Sequence, residues 1–271
     1  MISSAASWQI NHFGDKVTKV ARVFITGASR GIGSALASIF ARNGYDLILS
    51  CDKNYTLLKT DAGKLSAEYG INISILRYDN DQNKFQLEES YGDNNQIYFD
   101  EKENNIKTDI LINNASKALY GLFQDTKEEE WNEIINSNLT TLFHATKAVL
   151  PYMIHEKNGL IINISSIWGI VGASLETIYS GTKGFVNTFT KALAKELEPS
   201  SIDVIAFALG MVDTEMNSHL SEEEKKEIAS SLDNGKLFTK EEIAQKIFEH
   251  VTNKNYKTGD IIPLDNGLVN L

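Results

Sequence analysis

The sequence predicts a single α/β domain built on a doubly wound, seven-stranded parallel sheet with helices on both faces. From residue 21 onward, short runs rich in valine and isoleucine alternate with longer amphipathic stretches, which is the pattern of β-α-β units. Most of these runs are apolar at nearly every position, as expected for strands that helices cover on both sides. At 271 residues, the chain has a length at which α/β folds commonly remain one domain.

The predicted strands lie at 21–26, 46–50, 73–78, 109–113, 160–165, 202–208 and 259–264. Two helix starts match a capping box, Thr126 with Glu129 and Thr239 with Glu242, and they predict helices near 127–150 and 240–252. Residues 1–20 form an N-terminal extension to a domain that spans 21–271. Two polar stretches look irregular. Residues 80–107 have poor helix propensity and receive no assignment, whereas residues 213–237 are expected to form a lid.

Composition and charge exclude several classes of function. The net charge of -10 would repel a phosphate backbone, so no nucleic-acid partner is expected. Cys51 is the single cysteine, and no Cys/His cluster has metal-ligand spacing, so we expect no metal site. The sequence has no run of 18 apolar residues and no signal-peptide core near its start. These features predict a cytoplasmic protein with no membrane partner.

A glycine-rich loop, TGASRGIG at 26–33, follows the first predicted strand and opens an amphipathic helix. Gly27 permits a tight turn, Gly31 lets the backbone approach a pyrophosphate, and Gly33 lets the helix pack closely on the strand. The phosphates would lie on the helix N-terminus, where unpaired N–H groups and the helix dipole favour negative charge. The loop by itself is also compatible with an ordinary strand-to-helix connection. Its place after the first strand of an α/β chain favours a Rossmann-like dinucleotide site.

The spacing TG-x-x-x-G-x-G resembles that of the short-chain dehydrogenase/reductase family, and other motifs of that family follow in order. They are DILINNA at 109–115, Asn138, Ser166 placed 13 residues before Tyr179, the Tyr-x-x-x-Lys of YSGTK at 179–183, and ALGMVDT at 208–214. The resemblance implies an NAD(P)H-dependent oxidoreductase that acts on a small carbonyl or alcohol. It implies Asn138, Ser166, Tyr179 and Lys183 as catalytic residues. It implies cofactor binding by Gly27, Ser29, Arg30, Gly31, Ile32, Gly33, Asp52, Asp79, Asn113, Ala115, Tyr179, Lys183, Val212 and Thr214.

The chemistry of carbonyl reduction requires these residue types. The carbonyl oxygen needs a proton as hydride reaches the carbon, and the Tyr179 phenol can supply it. Lys183 is four residues on and lies on the same helix face, where its charge would favour the phenolate and could hold ribose hydroxyls. Ser166 would donate a hydrogen bond to the developing oxyanion. By the resemblance, Asn138 would hold a water that links Lys183 to solvent.

Arg30 and Asp52 favour different nicotinamide cofactors. Arg30 is placed to pair with a 2′-phosphate, which favours NADP(H). Asp52 resembles the carboxylate that binds the ribose hydroxyl in NAD enzymes, so NAD(H) stays possible. The family's usual acidic position corresponds to Cys51, so we expect Asp52 to turn to the opposite face. Asp79 should meet the adenine in either case.

Other interpretations remain open. Ser116 stands where the family usually has glycine, a variation that also occurs in pteridine reductases. The closest overall look is to the 3-oxoacyl carrier-protein reductases, although the acidic charge disfavours an acidic carrier and favours a small free substrate. A dinucleotide-binding regulator without turnover is the alternative from another class. The resemblance also implies a homo-oligomer, expected to be a tetramer, paired through the helices near 127–150 and 178–197.

Overall fold

A computed structural model describes residues 6–10, 16–79, 84–92, 99–100, 102–218 and 220–269, with side chains from Val20 onward except that of Asp79. The helices are α1 Gly31–Arg42, α2 Tyr55–Tyr69, α3 Glu128–Ile135, α4 Thr141–Glu156, α5 Trp168–Val171, α6 Thr177–Leu197, α7 Glu222–Ser230 and α8 Lys240–Thr252. The strands are β1 Ala6–Ile10, β2 Lys16–Val20, β3 Arg22–Ile25, β4 Asp46–Ser50, β5 Ile73–Asp79, β6 Lys84–Tyr91, β7 Phe99–Asp100, β8 Asn105–Ile106, β9 Ile110–Asn113, β10 Gly159–Ser166, β11 Ile202–Leu209, β12 Val212–Asp213, β13 Phe238–Thr239 and β14 Ile261–Leu264.

The main sheet has the order β14-β11-β10-β9-β3-β4-β5-β6 and contains eight strands among the residues described. Seven neighbouring strands run parallel, and they are the seven that the apolar runs predict. The α/β doubly wound fold is therefore confirmed. The eighth strand, β6, is antiparallel to β5 and extends the predicted seven-stranded sheet at its edge.

The unassigned stretch 80–107 contributes β6 and a short β7–β8 pair in its described part. Its apolar side chains Phe85, Phe99 and Ile106 are buried in the core on one sheet face. A strand suits Lys84–Tyr91 because Phe85 and Leu87 alternate with polar residues, the two-residue period of a half-buried strand. The stretch 213–237 is also more regular than expected, because it contains α7, capped where the Ser221 hydroxyl accepts from the Glu224 N–H at 3.2 Å.

Alternate residues of each central strand enter two separate cores. Val23 and Ile25 of β3 pack with the first core, on the face covered by α1 and α8, whereas Phe24 packs with the second core beside α4. This follows from the two-residue side-chain period of a strand. Helices thus cover both faces, as predicted, and the carboxyl ends of the parallel strands meet along one open edge.

One predicted helix start is wrong by one residue. The capping pair is Lys127 with Glu130, whose carboxylate accepts from the Lys127 N–H at 2.8 Å, while the Thr126 hydroxyl bonds back to the Leu122 carbonyl. The Thr239–Glu242 pair is confirmed by two reciprocal bonds of 3.1 and 2.9 Å. Within the N-terminal extension, β1 and β2 pair as an antiparallel hairpin.

Candidate active site

The glycine loop lies at the carboxyl edge of the sheet, between β3 and α1. Gly27 has φ +66°, and a Cβ there would lie 2.8 Å from the Cα of Ala115. A Cβ on Gly33 would collide with the carbonyl oxygen of Gly27. Only glycine fits these two places. The side-chain amide of Asn114 holds the loop from β9, donating to the Thr26 and Gly27 carbonyls at 3.0 and 3.1 Å.

The structure brings Ser166, Tyr179 and Lys183 together in one cavity. Ser166 ends β10, whereas Tyr179 and Lys183 lie one turn apart on α6. All three are buried and line a cavity of about 230 Å³. The Ser166 side chain lies close enough to the Tyr179 hydroxyl to lower the pKa of the phenol. The Lys183 ammonium lies 5.5 Å from the centre of the Tyr179 ring and donates to the Ile164 carbonyl at 2.9 Å.

Burial changes the acid–base properties of both α6 residues. The pKa of Tyr179 is raised above its usual value, first by desolvation and then by the charge of Glu176, while the nearby Ser166 side chain lowers it. Desolvation lowers the pKa of Lys183 to about 8. The effect of Lys183 on the phenolate is therefore smaller in this arrangement than the sequence predicts. Tyr179 is protonated at neutral pH, as a proton donor must be.

Asn138 is buried in the π turn Asn136–Thr140 that joins α3 to α4. Its amide oxygen accepts from the Lys117 N–H at 2.7 Å, and its amide nitrogen donates to the Lys117 carbonyl at 3.0 Å and to the Thr182 hydroxyl at 3.1 Å. Thr182 precedes Lys183 on α6. The Asn138 side chain therefore connects the segment after β9 to the catalytic helix.

The other predicted cofactor residues take different places. Val212 and Thr214 line the catalytic cavity together with Ile32. The Asn113 amide nitrogen instead joins a buried network beneath the cleft, donating to Thr146 at 3.1 Å and Asn163 at 2.9 Å. The amide oxygen of Asn113 is buried and has no hydrogen-bond partner among the described residues.

A wider cleft of about 990 Å³ includes Gly27 of the glycine loop. Cys51 and Asp52, which follow strand β4, also line it. Cys51 is buried, and desolvation raises the pKa of its thiol. Asp52 also lines this cleft, so the expectation that it turns away is wrong. The reason is that β4 ends at Ser50, beyond which strand alternation no longer applies. Arg30 is exposed at the start of α1, and the side chain of Asp79 lies outside the described residues.

The sequence analysis did not identify Lys117 or Glu176 as site residues. The Lys117 ammonium lies 2.8 Å from a Glu133 oxygen and 3.3 Å from an Asp52 oxygen, across the wider cleft. Glu176 precedes α6 and lines the catalytic cavity. Lys117 lies two residues after the DILINNA motif, and Glu176 lies three residues before Tyr179. Proximity to a motif is the sequence signal that could have identified both residues.

The residues present fit a dinucleotide. The first turn of α1 carries no acidic side chain, and its N-terminus offers N–H groups to phosphate. The Ser116 hydroxyl oxygen is buried beside the catalytic cavity and has no hydrogen-bond partner among the described residues, so a ligand could satisfy it. Lys183 and Tyr179 would hold the nicotinamide ribose. In the described part of the chain, no cluster of three or more His, Cys, Asp or Glu could bind a metal.

A parallel sheet with a glycine loop and a Ser-Tyr-Lys cluster at its carboxyl edge defines the class of nicotinamide-dependent oxidoreductases. The model of the short chain dehydrogenase family matches residues 21–225, and the chain belongs to this family.

Relatives cover nearly the whole chain. It is 36% identical over 246 residues to the uncharacterized oxidoreductase YmfI of Bacillus subtilis, covering 90% of this chain and 96% of the relative. It is 35% identical over 254 residues to the 3-oxoacyl-[acyl-carrier-protein] reductase FabG of Thermotoga maritima, with the same coverage. A Chlamydia muridarum protein of the same name is 32% identical over 248 residues, covering 90% of this chain and 95% of the relative.

No helix among the described residues is long and apolar enough to cross a membrane.

Proposed function

We propose that this protein transfers hydride between NADP(H) and a small carbonyl or alcohol, with Tyr179 as the acid and base. The observation that carries the proposal is that Tyr179 shares a single cavity with Ser166 and with Lys183, which lies one turn away on α6. When bound there, the nicotinamide would supply or accept the hydride. Tyr179 would give its proton to the substrate oxygen, and Ser166 would stabilise the charge that develops on that oxygen.

Lys183 has two tasks in this proposal. Its ammonium would hold the nicotinamide ribose hydroxyls, and its charge beside the Tyr179 ring would offset the desolvation that opposes the phenolate. The Asn138 side chain is occupied by Lys117 and Thr182. Any water relay from Lys183 would therefore use the Asn138 backbone, within the π turn.

An apolar substrate suits the surroundings of the catalytic cavity. Trp168, Tyr120 and Met216 line it, and Leu122 and Val171 beside them in sequence are about half exposed. Glu176 adds a negative charge to the lining, which disfavours carboxylate substrates. The names of the relatives support 3-oxoacyl thioesters as a second substrate class. The segment 213–237 would close over the cavity as a lid, because its residues Thr214, Met216 and Asn217 line it.

NADP(H) is the cofactor that we favour over NAD(H), because Arg30 is exposed at the N-terminus of α1, and a guanidinium there could pair with a 2′-phosphate. Arg30→Ala should weaken NADPH binding much more than NADH binding in a fluorescence titration. Wild-type protein that binds NADH more tightly than NADPH would reverse this assignment.

We further propose a homotetramer in a reducing cytoplasm. Phe143 of α4 and Phe185 of α6 are 41% and 39% exposed and pack against each other with ring centres 5.5 Å apart. An aromatic surface of this kind suits a second copy of the chain.

Cys51 is a buried free thiol, as is usual for proteins in reducing compartments.

Turnover of a panel of aldehydes, ketones and 3-oxoacyl thioesters, followed as loss of reduced-nicotinamide absorbance, tests the proposed function. We expect oxidation of NADPH with at least one neutral carbonyl. Tight nucleotide binding with no turnover on any member would favour the regulator instead.

A further inference from the structure

The cleft beyond the glycine loop contains an ion cluster that the proposed chemistry does not use. Lys117 Nζ lies 3.3 Å from Asp52 Oδ2 and 2.8 Å from Glu133 Oε1. Three separate segments meet there: Asp52 follows β4, Lys117 follows β9, and Glu133 belongs to α3. Gly27 and Ala115 line the same cleft as Lys117.

The position of Asp52 makes this cluster relevant to the cofactor. In dinucleotide folds, a carboxylate after the second strand accepts from the adenosine ribose hydroxyl and repels a 2′-phosphate. In this chain that carboxylate already has a cation beside it. The side chain of Lys117 is about one-third exposed, so its charge is only partly screened by solvent.

Lys117 is also held firmly at its backbone. Both amide atoms of Asn138 bond its N–H and carbonyl, at 2.7 and 3.0 Å. Asn138 is buried and also bonds Thr182 on α6, so the Lys117 backbone is tied to that helix. The Lys117 ammonium itself is held beside Asp52 and Glu133 by its two ion pairs.

The protonation of the cluster agrees with this arrangement. The pKa of Lys117 is raised, first by its bond to Glu133 and then by Asp52, despite partial burial. The pKa of Glu133 is lowered by Lys117. The cluster is therefore a charged one at neutral pH, with a single ammonium between two carboxylates.

We propose that Lys117 is the specificity-determining residue that lets this chain accept a nucleotide with a 2′-phosphate, by neutralising Asp52 and offering its own ammonium to the phosphate. Glu133 competes for the same ammonium and moderates the effect. This inference rests on the proposed function, because it requires a nicotinamide dinucleotide in the cleft. It differs from the role of Arg30, which approaches the phosphate from the glycine loop.

Binding of NADPH and NADH, measured by nucleotide fluorescence with the full-length protein, tests the assignment. Lys117→Met should weaken NADPH binding about tenfold, as expected for loss of one nearby charge, while NADH binding stays within about twofold. Glu133→Gln should strengthen NADPH binding, because the ammonium then has one competitor fewer. Lys191→Met is the matched control, since Lys191 is an exposed lysine on α6 and does not line this cleft.

The outcomes separate this assignment from the proposed function. An unchanged ratio of NADPH to NADH affinity in Lys117→Met, or an equal shift in Lys191→Met, overturns the assignment alone. Wild-type protein that binds neither nucleotide overturns the proposed function and the assignment with it. Thermal melting monitors folding, and Lys117→Gln repeats the test with a polar side chain if the methionine variant does not fold.

Discussion

The Lys183 ammonium lies 5.5 Å from the centre of the Tyr179 ring, and its hydrogen bond goes to the Ile164 carbonyl at 2.9 Å. Both side chains are buried. Burial opposes charge on each of them, so the pKa of Tyr179 rises and that of Lys183 falls to about 8. The proposed chemistry depends on this pair, and its ionisation can be measured.

The titration of Lys183 predicts a pH dependence. Above pH 8 the free enzyme loses the ammonium that would hold the ribose, so kcat/KM for NADPH should fall as pH rises through about 8. Lys183→Met should lower both nucleotide affinity and turnover and should abolish this limb. Lys191→Met, an exposed lysine farther along α6, should retain it. A profile without a limb near pH 8 in the wild type would contradict the double role of Lys183.

The lowered pKa of Lys183 also predicts how the stability of the fold changes with pH. The folded-state pKa of Lys183 is lowered from 10.5 to about 8, so between these values the unfolded chain binds more protons than the folded one. The contribution of Lys183 to the free energy of unfolding should therefore rise with pH across this window, by at most about 3 kcal/mol. Denaturant unfolding at pH 7.5 to 10.5 measures it, and Lys183→Met should lack the rise.

Glu176 offers a separate test of Tyr179. Its negative charge contributes to the raised pKa of Tyr179, after desolvation. Alcohol oxidation needs the phenolate, so its rate should rise as pH rises toward the pKa of Tyr179. Glu176→Gln should therefore move this rising limb of the pH profile to lower pH. Glu222→Gln, an exposed carboxylate at the start of α7, is the control and should leave the limb in place. A limb at the same pH in both variants would show that Glu176 does not act on Tyr179.

The aromatic surface predicts an assembly. Phe185→Glu places a charge between ring neighbours 5.5 and 5.9 Å away, so it should dissociate the oligomer at micromolar concentration. Phe123→Glu, at a more exposed phenylalanine outside α4 and α6, should not. Light scattering distinguishes the species. A wild-type mass of 30.2 kDa would rule out the proposed tetramer.

The seven parallel strands could be predicted because apolar runs of that length mark strands buried on both faces. Strand β6 could not be assigned from composition, although Phe85 and Leu87 alternate with polar residues in the manner of a half-buried strand. The start of α3 was missed because its glutamates fit two capping registers. Thr126 and Lys127 each have a glutamate three residues on, and only the backbone decides between them.

That Ser166, Tyr179 and Lys183 lie together could be predicted, because their spacing is local to one helix and one strand end. The ion pair between Lys117 and Asp52 joins residues that are 65 positions apart in the sequence. No local sequence pattern indicates such a contact. Asp52 itself was placed on the wrong face, since the two-residue alternation was extended past the end of β4.

Tyr179→Phe tests the central claim most directly, because it removes the hydroxyl and retains the ring. Carbonyl-dependent oxidation of NADPH should fall about 10²–10⁴-fold, the usual contribution of a positioned acid. NADPH affinity should fall much less, because Lys183 remains to hold the ribose. Tyr256→Phe, a partly buried tyrosine packed on the first core, is the matched control and should keep the wild-type rate. Retention of most of the rate in Tyr179→Phe would contradict the account.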